Sequence, residues 1–166
     1  MGSITCVIFA IAKSNAMKGV LLVNLGSPES PTAKDVKPYL DEFLMDERVI
    51  DAPKWLRAFL VKGIILQTRP KKSAKAYAKI WWEEGSPLIV LSERFANKVQ
   101  QHTNMPVALG MRYGRMTIKN ALQELKDKGV DEVLLVPLYP HYAMSSFETV
   151  VVKVLEEQQQ YFPEME

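Results

Sequence analysis

The sequence predicts an α/β domain in which a short parallel sheet is flanked by helices in three layers. Three continuous apolar runs, at residues 19–25, 107–111 and 133–138, have the length and composition of strands buried on both faces. Segments with apolar residues at helical spacing lie between these runs and after the last one. Strands that alternate with helices along a chain are typical of a parallel sheet.

The first strand and the first helix have clear boundary signals. The strand is closed by the turn residues Gly26-Ser27-Pro28. Thr32 and Asp35 then have the spacing of an N-terminal capping box. Because the apolar residues after them repeat at helical spacing, we expect a helix over residues 32–46.

Three further helices are predicted before the second strand. Apolar residues after Pro53 indicate a helix, and Gly63 weakens its continuation over 62–68. A second helix is expected over 73–82. The pair Ser86-Pro87 is typical of an N-cap followed by proline in the first turn, so a third helix should begin there.

The second half of the chain repeats the alternation. An apolar stripe over 118–125 predicts a helix that Gly129 ends. After the third strand, Ser145 and Glu148 have the spacing of another capping box, and the helix that follows should end at Pro163. The chain ends after this helix, where the pattern would lead us to expect one more strand.

Composition limits the classes of function. The 166 residues suffice for one domain with a core, and an apolar fraction of 48% excludes global disorder. A net charge of +2 argues against nucleic-acid binding driven by bulk charge. No apolar run is long enough to cross a bilayer. With one cysteine and two histidines, the sequence disfavours an internal disulfide and a structural zinc site.

The first 16 residues are predicted to be foreign to the domain. They contain a short apolar run, residues 4–12, without the positively charged start of a secretory signal. The sequence Ser14-Asn15-Ala16 directly before Met17 resembles the junction left by a cleaved expression tag. We therefore assign 1–16 to an expression tag and 17–166 to the native domain, and expect Cys6 to carry no functional information.

Candidate binding residues follow the three predicted strands, because open parallel sheets bind ligands beyond the carboxyl ends of their strands. The segments are 24–28, 112–115 and 139–142. None contains a dinucleotide-binding or P-loop glycine pattern. Together they offer two arginines, three tyrosines and a histidine, a mixture that suits an aromatic anion better than a phosphate.

A further candidate segment is RPKKSAKAYAKIWWEEGSPL, residues 69–88. It combines cations, aromatic rings and a hydroxyl at a turn, which are the groups that a large, flat, anionic ligand requires. Each residue also has a structural interpretation: Arg69 as a solvated charge, Tyr77 as core, and Ser86 as a helix cap. His141, likewise, is a single histidine of the kind that usually has a structural hydrogen bond.

Four motifs in this order resemble the N-terminal half of ferrochelatases, which insert ferrous iron into a porphyrin in the final stage of haem biosynthesis. They are GVLLVNLGSP, RP…AYxxIW…GSPL, ALGMRYG and VLLVPLYPHYA, and the likeness extends from Lys18 to the end of the chain. The resemblance implies a chelatase-like α/β half that faces a second half, absent here, across a porphyrin cleft. It implies a lyase with ferrous iron and porphyrin as substrates and no required cofactor.

The same resemblance assigns roles to individual residues. It implies no catalytic residue in this fragment, because the family's histidine and its acidic partner lie in the second half, so the fragment alone should be inactive. His141 aligns with a strand-end segment and is only a weak metal candidate. A departure from some relatives at 81–85 makes the alignment of Ser86 depend on the GSP motif itself. The implied porphyrin-binding residues are Leu25, Arg69, Tyr77, Ser86, Arg112 and Tyr113.

Two other interpretations stay open at this point. One is a non-catalytic, flavodoxin-like ligand-binding module, and the other is a cobalt-chelatase relative, which the scarcity of histidine disfavours. A cytoplasmic location is expected, with peripheral membrane contact left open. The apolar residues Trp55, Leu56, Phe59 and Leu60 would either form a lip that touches a bilayer or bury against the sheet.

Overall fold

The computed structural model describes residues 16–166, so the proposed tag, with Cys6, falls outside the described residues except for Ala16. Two segments are π-helical, with hydrogen bonds one residue longer than those of an α-helix. In chain order the elements are β1 (Lys18–Gly26), α1 (Ala33–Leu44), α2 (Lys54–Ala58), a first π-helical segment (Phe59–Ile65), α3 (Leu66–Ile80), α4 (Pro87–Gln101), β2 (Val107–Tyr113), α5 (Ile118–Asp127), β3 (Glu132–Pro137), a second π-helical segment (Met144–Glu148) and α6 (Thr149–Tyr161).

The three strands form one parallel sheet with the order β2-β1-β3. In the central strand, Val20 pairs with Val107 on one side and with Leu134 on the other. The predicted parallel α/β sheet is therefore confirmed. Because all three strands run in the same direction, the three candidate segments emerge at the same edge of the sheet.

Helices cover both faces of the sheet and its carboxyl edge. Leu21 and Val23 of β1 pack with residues of α5 and α6 on one face, while Val20 and Leu22 pack with α4 on the other. A third cluster joins α1 and α3 to Tyr113 at the end of β2. The predicted three layers are thus present, and the third cluster forms one wall of the edge where a ligand would bind.

The continuation over 62–68, which Gly63 was expected to weaken, is helical. The structure continues from α2 through the first π-helical segment into α3, so the predicted helix over 73–82 is present through Ile80 but begins seven residues earlier than predicted. Val61 and Leu66, five residues apart, are both buried, and the wide π-helical turn brings such a pair to one face. Burying them offsets the cost of Gly63, which is about 1 kcal/mol.

The second predicted capping box is also wrong. Ser145 is exposed, and the chain from Met144 to Glu148 is π-helical. The Glu148 carboxylate accepts a hydrogen bond from the Tyr142 hydroxyl at 2.8 Å and lies 3.4 Å from Nε of Arg48. The Glu148 carboxylate therefore contacts Tyr142 and Arg48 and does not form the capping box with Ser145.

The outer edge of β3 pairs with the last residue of the chain. The amide of Glu166 donates to the carbonyl of Asp131 at 2.8 Å, and the amide of Val133 donates to the carbonyl of Glu166 at 2.6 Å. This is the pattern of a parallel pair, so residue 166 lies beside β3 as a further strand would. Among residues 16–166, no helix has the length and apolarity needed to cross a membrane.

Candidate functional site at the carboxyl edge

The loops that follow β1 and β2 pack against each other through two glycines. Gly26 has a φ of 101°, and a Cβ there would lie 1.9 Å from the carbonyl oxygen of Tyr113. Gly114 has a φ of 94°, and its Cβ would lie 2.9 Å from the carbonyl oxygen of Ser27. Both positions therefore require glycine. Two of the three candidate segments are thereby brought into direct contact.

Arg112 and Tyr113 belong to a buried network centred on Asp46. Oδ2 of Asp46 accepts hydrogen bonds from Nη2 of Arg112, from the Tyr113 hydroxyl at 2.9 Å and from the Thr149 hydroxyl. Nε of Arg112 donates to the hydroxyl of Thr149 at 2.7 Å and to its carbonyl at 3.1 Å. The network joins the connection between α1 and α2, the end of β2 and the start of α6.

The electrostatics of the network favour a charged carboxylate. Burial alone would raise the pKa of Asp46, but hydrogen bonds from Thr149, the Arg48 amide and Tyr113, together with the charge of Arg112, lower that pKa below its ordinary value. Burial raises the pKa of Tyr113 to about 12. Asp46 is therefore an anion and Tyr113 a neutral donor at physiological pH.

Three of the six predicted site residues lie in one apolar cluster. Leu25 and Tyr77 pack against the buried group that contains Tyr113. A series of ring contacts runs through this cluster: Trp81 to Tyr77, Tyr77 to Tyr39, Tyr39 to Phe43, and Phe43 to Tyr113, with centroids 5.2–6.4 Å apart. Tyr113 itself is only 1% exposed, so it lies behind the surface of the site.

Ser86 and Arg69 lie on other elements, and no hydrogen bond, ion pair or ring contact within residues 16–166 joins them to the Asp46 network. Ser86 precedes α4 as predicted, but its buried side chain makes no capping hydrogen bond. The interpretation of Ser86 as a helix cap is therefore wrong for its hydroxyl group. Arg69 is exposed on α3 and has no ion-pair partner in the described part of the chain.

An open groove of about 660 Å³ lies between α4 and the segment after β3. Apolar side chains such as Leu91 and Phe95 line it, and at its polar end Nδ2 of Asn24 donates to Oγ of Ser92 at 3.0 Å. The hydroxyl of Tyr139, another lining residue, is buried without a hydrogen-bond partner among residues 16–166. This mixture of apolar walls and a few polar groups is typical of small-molecule sites.

Sequence reasoning missed Asp46 and Thr149 as members of the site. A strand-end arginine that becomes buried needs a carboxylate, but no local pattern indicates which acidic residue supplies it. His141 is exposed, and residues 16–166 contain no cluster of three or more acidic, histidine or cysteine residues placed to hold a metal. Apart from the Asp46 carboxylate, which is paired with Arg112, the groups of the site are cationic, hydroxyl and aromatic, and such groups are suited to binding a flat organic anion.

Residues 17–166 match the family model described as Ferrochelatase. The chain is 56% identical over 133 residues to the ferrochelatase of Azotobacter vinelandii, which covers 80% of this chain and 39% of that relative. It is 51% identical over 151 residues to the ferrochelatase of Opitutus terrae, with 89% and 44% covered. It is 50% identical over 126 residues to the ferrochelatase of Vibrio parahaemolyticus, which covers 76% of this chain and 39% of that relative. The chain thus spans roughly two fifths of these relatives.

Proposed function

This chain belongs to the ferrochelatase family, and on that premise we propose that the whole protein inserts ferrous iron into a porphyrin in the final stage of haem biosynthesis. The chain would supply one wall of the porphyrin site. The observation that carries the proposal is the family match over residues 17–166. The comparisons lend no support to a flavodoxin-like binding module or a cobalt-chelatase relative.

We propose porphyrin contacts for five of the six residues that the resemblance implies. Arg69 and Arg112 would attract the anionic groups of the porphyrin, while Leu25 and Tyr77 would face its ring. Ser86 has a hydroxyl that no helix cap uses, so it is free for a ligand. Tyr113 is 1% exposed, and its direct contact with porphyrin stays a prediction.

The chemistry requires groups beyond those of this chain. Insertion of a ferrous ion displaces two protons from pyrrole nitrogens, so a base must accept them. The resemblance places the catalytic histidine and its acidic partner in the half that this chain lacks. We therefore propose that the 166-residue chain binds porphyrin but does not metallate it, and that no cofactor is needed besides the two substrates.

A peripheral membrane contact in the cytoplasm is proposed for the helical segment after Pro53. Trp55 is 73% exposed and Phe59 is 63% exposed, and they lie four residues apart, on one face. Lys54 and Lys62 are exposed nearby. Exposed aromatic residues bordered by lysines are suited to the surface of an anionic bilayer. Leu56 and Leu60 are half-buried, so only part of the predicted lip faces solvent.

The proposed function is tested by separating binding from turnover. A dicarboxylate porphyrin is titrated into the chain, with binding followed by quenching of tryptophan fluorescence, and iron and zinc insertion are assayed in parallel. We expect saturable binding without turnover, and turnover by a full-length protein that contains this chain. Enzyme-level metallation by the chain alone would refute the division of roles, and a full-length protein without chelatase activity would refute the function.

A further inference from the structure

The guanidinium of Arg112 is fixed along one edge and open at the other. Its Nε donates to Thr149, and its Nη2 donates to Asp46. Its Nη1 donates to no residue in the range 16–166 and is not among the buried groups that lack a partner, so it reaches solvent. Because the guanidinium is planar, two fixed nitrogens determine the direction of the third.

Asp46 is itself held by the turn in which it lies. Its Oδ1 accepts the Arg48 amide at 2.8 Å, and its carbonyl oxygen accepts the amides of Val49 and Ile50, both at 3.1 Å. The Asp46 side chain is 5% exposed. It is therefore a preorganised anion that cannot reach a ligand in the cleft.

Thr149 acts as a relay between the two charges. Its hydroxyl accepts from Nε of Arg112 and donates to Oδ2 of Asp46, which uses one donor and one acceptor of the group. Thr149 is 1% exposed, so it too is shielded from any ligand. A hydroxyl can accept and donate at the same time, which a methyl group of similar size cannot do.

We infer that Asp46 and Thr149 are positioning residues that aim the Nη1 edge of Arg112 at an anionic group of the bound porphyrin. The inference rests on the proposed function for the identity of the ligand. It assigns roles to two residues that do not themselves contact substrate. The Tyr113 hydroxyl donates a further hydrogen bond to Asp46. The guanidinium carbon of Arg112 lies 4.3 Å from the centre of the Tyr113 ring, so the guanidinium also packs on that ring.

The test uses a matched pair of variants in the 166-residue chain. Thr149→Val keeps the shape of the side chain and removes the hydroxyl, whereas Thr149→Ser keeps the hydroxyl and removes a methyl group. We expect Thr149→Val to weaken binding of a dicarboxylate porphyrin about tenfold, and Thr149→Ser to retain it within about threefold although its Tm falls. A role in stability alone would instead make affinity follow Tm.

Two additional measurements keep the inference falsifiable. The NMR signal of the Arg112 Nε–H should exchange slowly in the wild type and in Thr149→Ser, and rapidly in Thr149→Val. Asp46→Asn should bind the dicarboxylate porphyrin more weakly and should bind its uncharged dimethyl ester as the wild type does. Tighter binding by Asp46→Asn would show that Asp46 only masks the charge of Arg112, and would overturn the inference.

The two proposals fail in different ways. Equal affinities in wild type, Thr149→Val and Asp46→Asn would overturn the positioning role while leaving porphyrin binding intact. A wild-type chain that binds no porphyrin would refute the chain's proposed part in the function, and the positioning of Arg112 toward porphyrin with it. If Thr149→Val does not fold, Asp46→Asn with Thr149→Ser as the control decides the same question.

Discussion

The carbonyl oxygen of Tyr113 occupies the place where a side chain at Gly26 would begin. A Cβ at position 26 would lie 1.9 Å from that oxygen, and the φ of 101° is one that other residues rarely adopt. The two strand-end loops therefore meet at a distance that only glycine allows. This contact fixes the position of Arg112 and Tyr113 relative to Leu25.

Replacing Gly26 should consequently destabilise the whole carboxyl edge. We expect Gly26→Ala to lower the free energy of unfolding by at least ~2 kcal/mol, because strain in φ adds to a clash with backbone. Gly63→Ala is the matched control, since a Cβ there would meet nothing closer than 3.8 Å. It should leave stability unchanged or raise it by up to ~1 kcal/mol. Urea denaturation of both variants measures the contrast, and equal effects would contradict it.

The low pKa of Asp46 predicts a specific dependence of stability on pH. Its folded pKa lies below the ordinary value of 3.8, so its ionised form contributes stability above that pH and loses it as pH falls toward the folded pKa. Asp46→Asn should cost ~3 kcal/mol at neutral pH because it leaves Arg112 without its counter-ion. The difference from wild type should shrink below about pH 4, near the ordinary pKa of Asp.

Unfolding curves collected from pH 2 to 7, a range set by the reference pKa values of carboxyl groups, provide the measurement. Asp51→Asn is a suitable comparison, because Asp51 is exposed and forms no hydrogen bond or ion pair with another residue in the described range. A stability difference between wild type and Asp46→Asn that stays constant across the range would show that Asp46 carries no ionised stabilising contact.

Ser86 and Thr32 should respond differently to the loss of a hydroxyl. Thr32 accepts the amide of Asp35 at 3.3 Å and caps α1, whereas the Ser86 hydroxyl caps nothing in α4. We expect Thr32→Ala to cost ~1 kcal/mol and Ser86→Ala less than ~0.5 kcal/mol. If Ser86 contacts porphyrin as proposed, only Ser86→Ala should weaken binding. A large loss of stability in Ser86→Ala would show that the Ser86 hydroxyl stabilises the fold, contrary to this prediction.

The exposed face after Pro53 predicts an interaction with anionic lipid. We expect the chain to sediment with vesicles of equal parts phosphatidylcholine and phosphatidylserine, and less at high salt. The double change Trp55→Ser and Phe59→Ser should abolish most of this binding. Trp82→Ser serves as the control. Trp82 is also exposed, but it follows α3 in the sequence, whereas Trp55 and Phe59 precede α3, and its backbone pairs with that of Gly85. Equal losses in both variants would exclude a specific lip.

Local signals in the sequence predicted most of the fold. The three strands are recognisable because each needs only a short run of apolar residues, and α1 is recognisable because its cap is completed within four residues by Thr32 and Asp35. The parallel order of elements then placed the three candidate segments at one edge.

Tertiary structure decided what depends on distant partners. Asp46 meets Arg112 and Thr149 across 66 and 103 residues, and many other acidic residues had the same local character. Glu148 contacts Tyr142 and Arg48 and does not form the predicted capping box. The helix continues beyond Gly63 because Val61 and Leu66 are buried in the same apolar cluster. The sequence by itself determined where the backbone is extended or helical, since those preferences are local. Only the folded chain decided which buried charges pair, because that choice depends on which side chains are removed from water together.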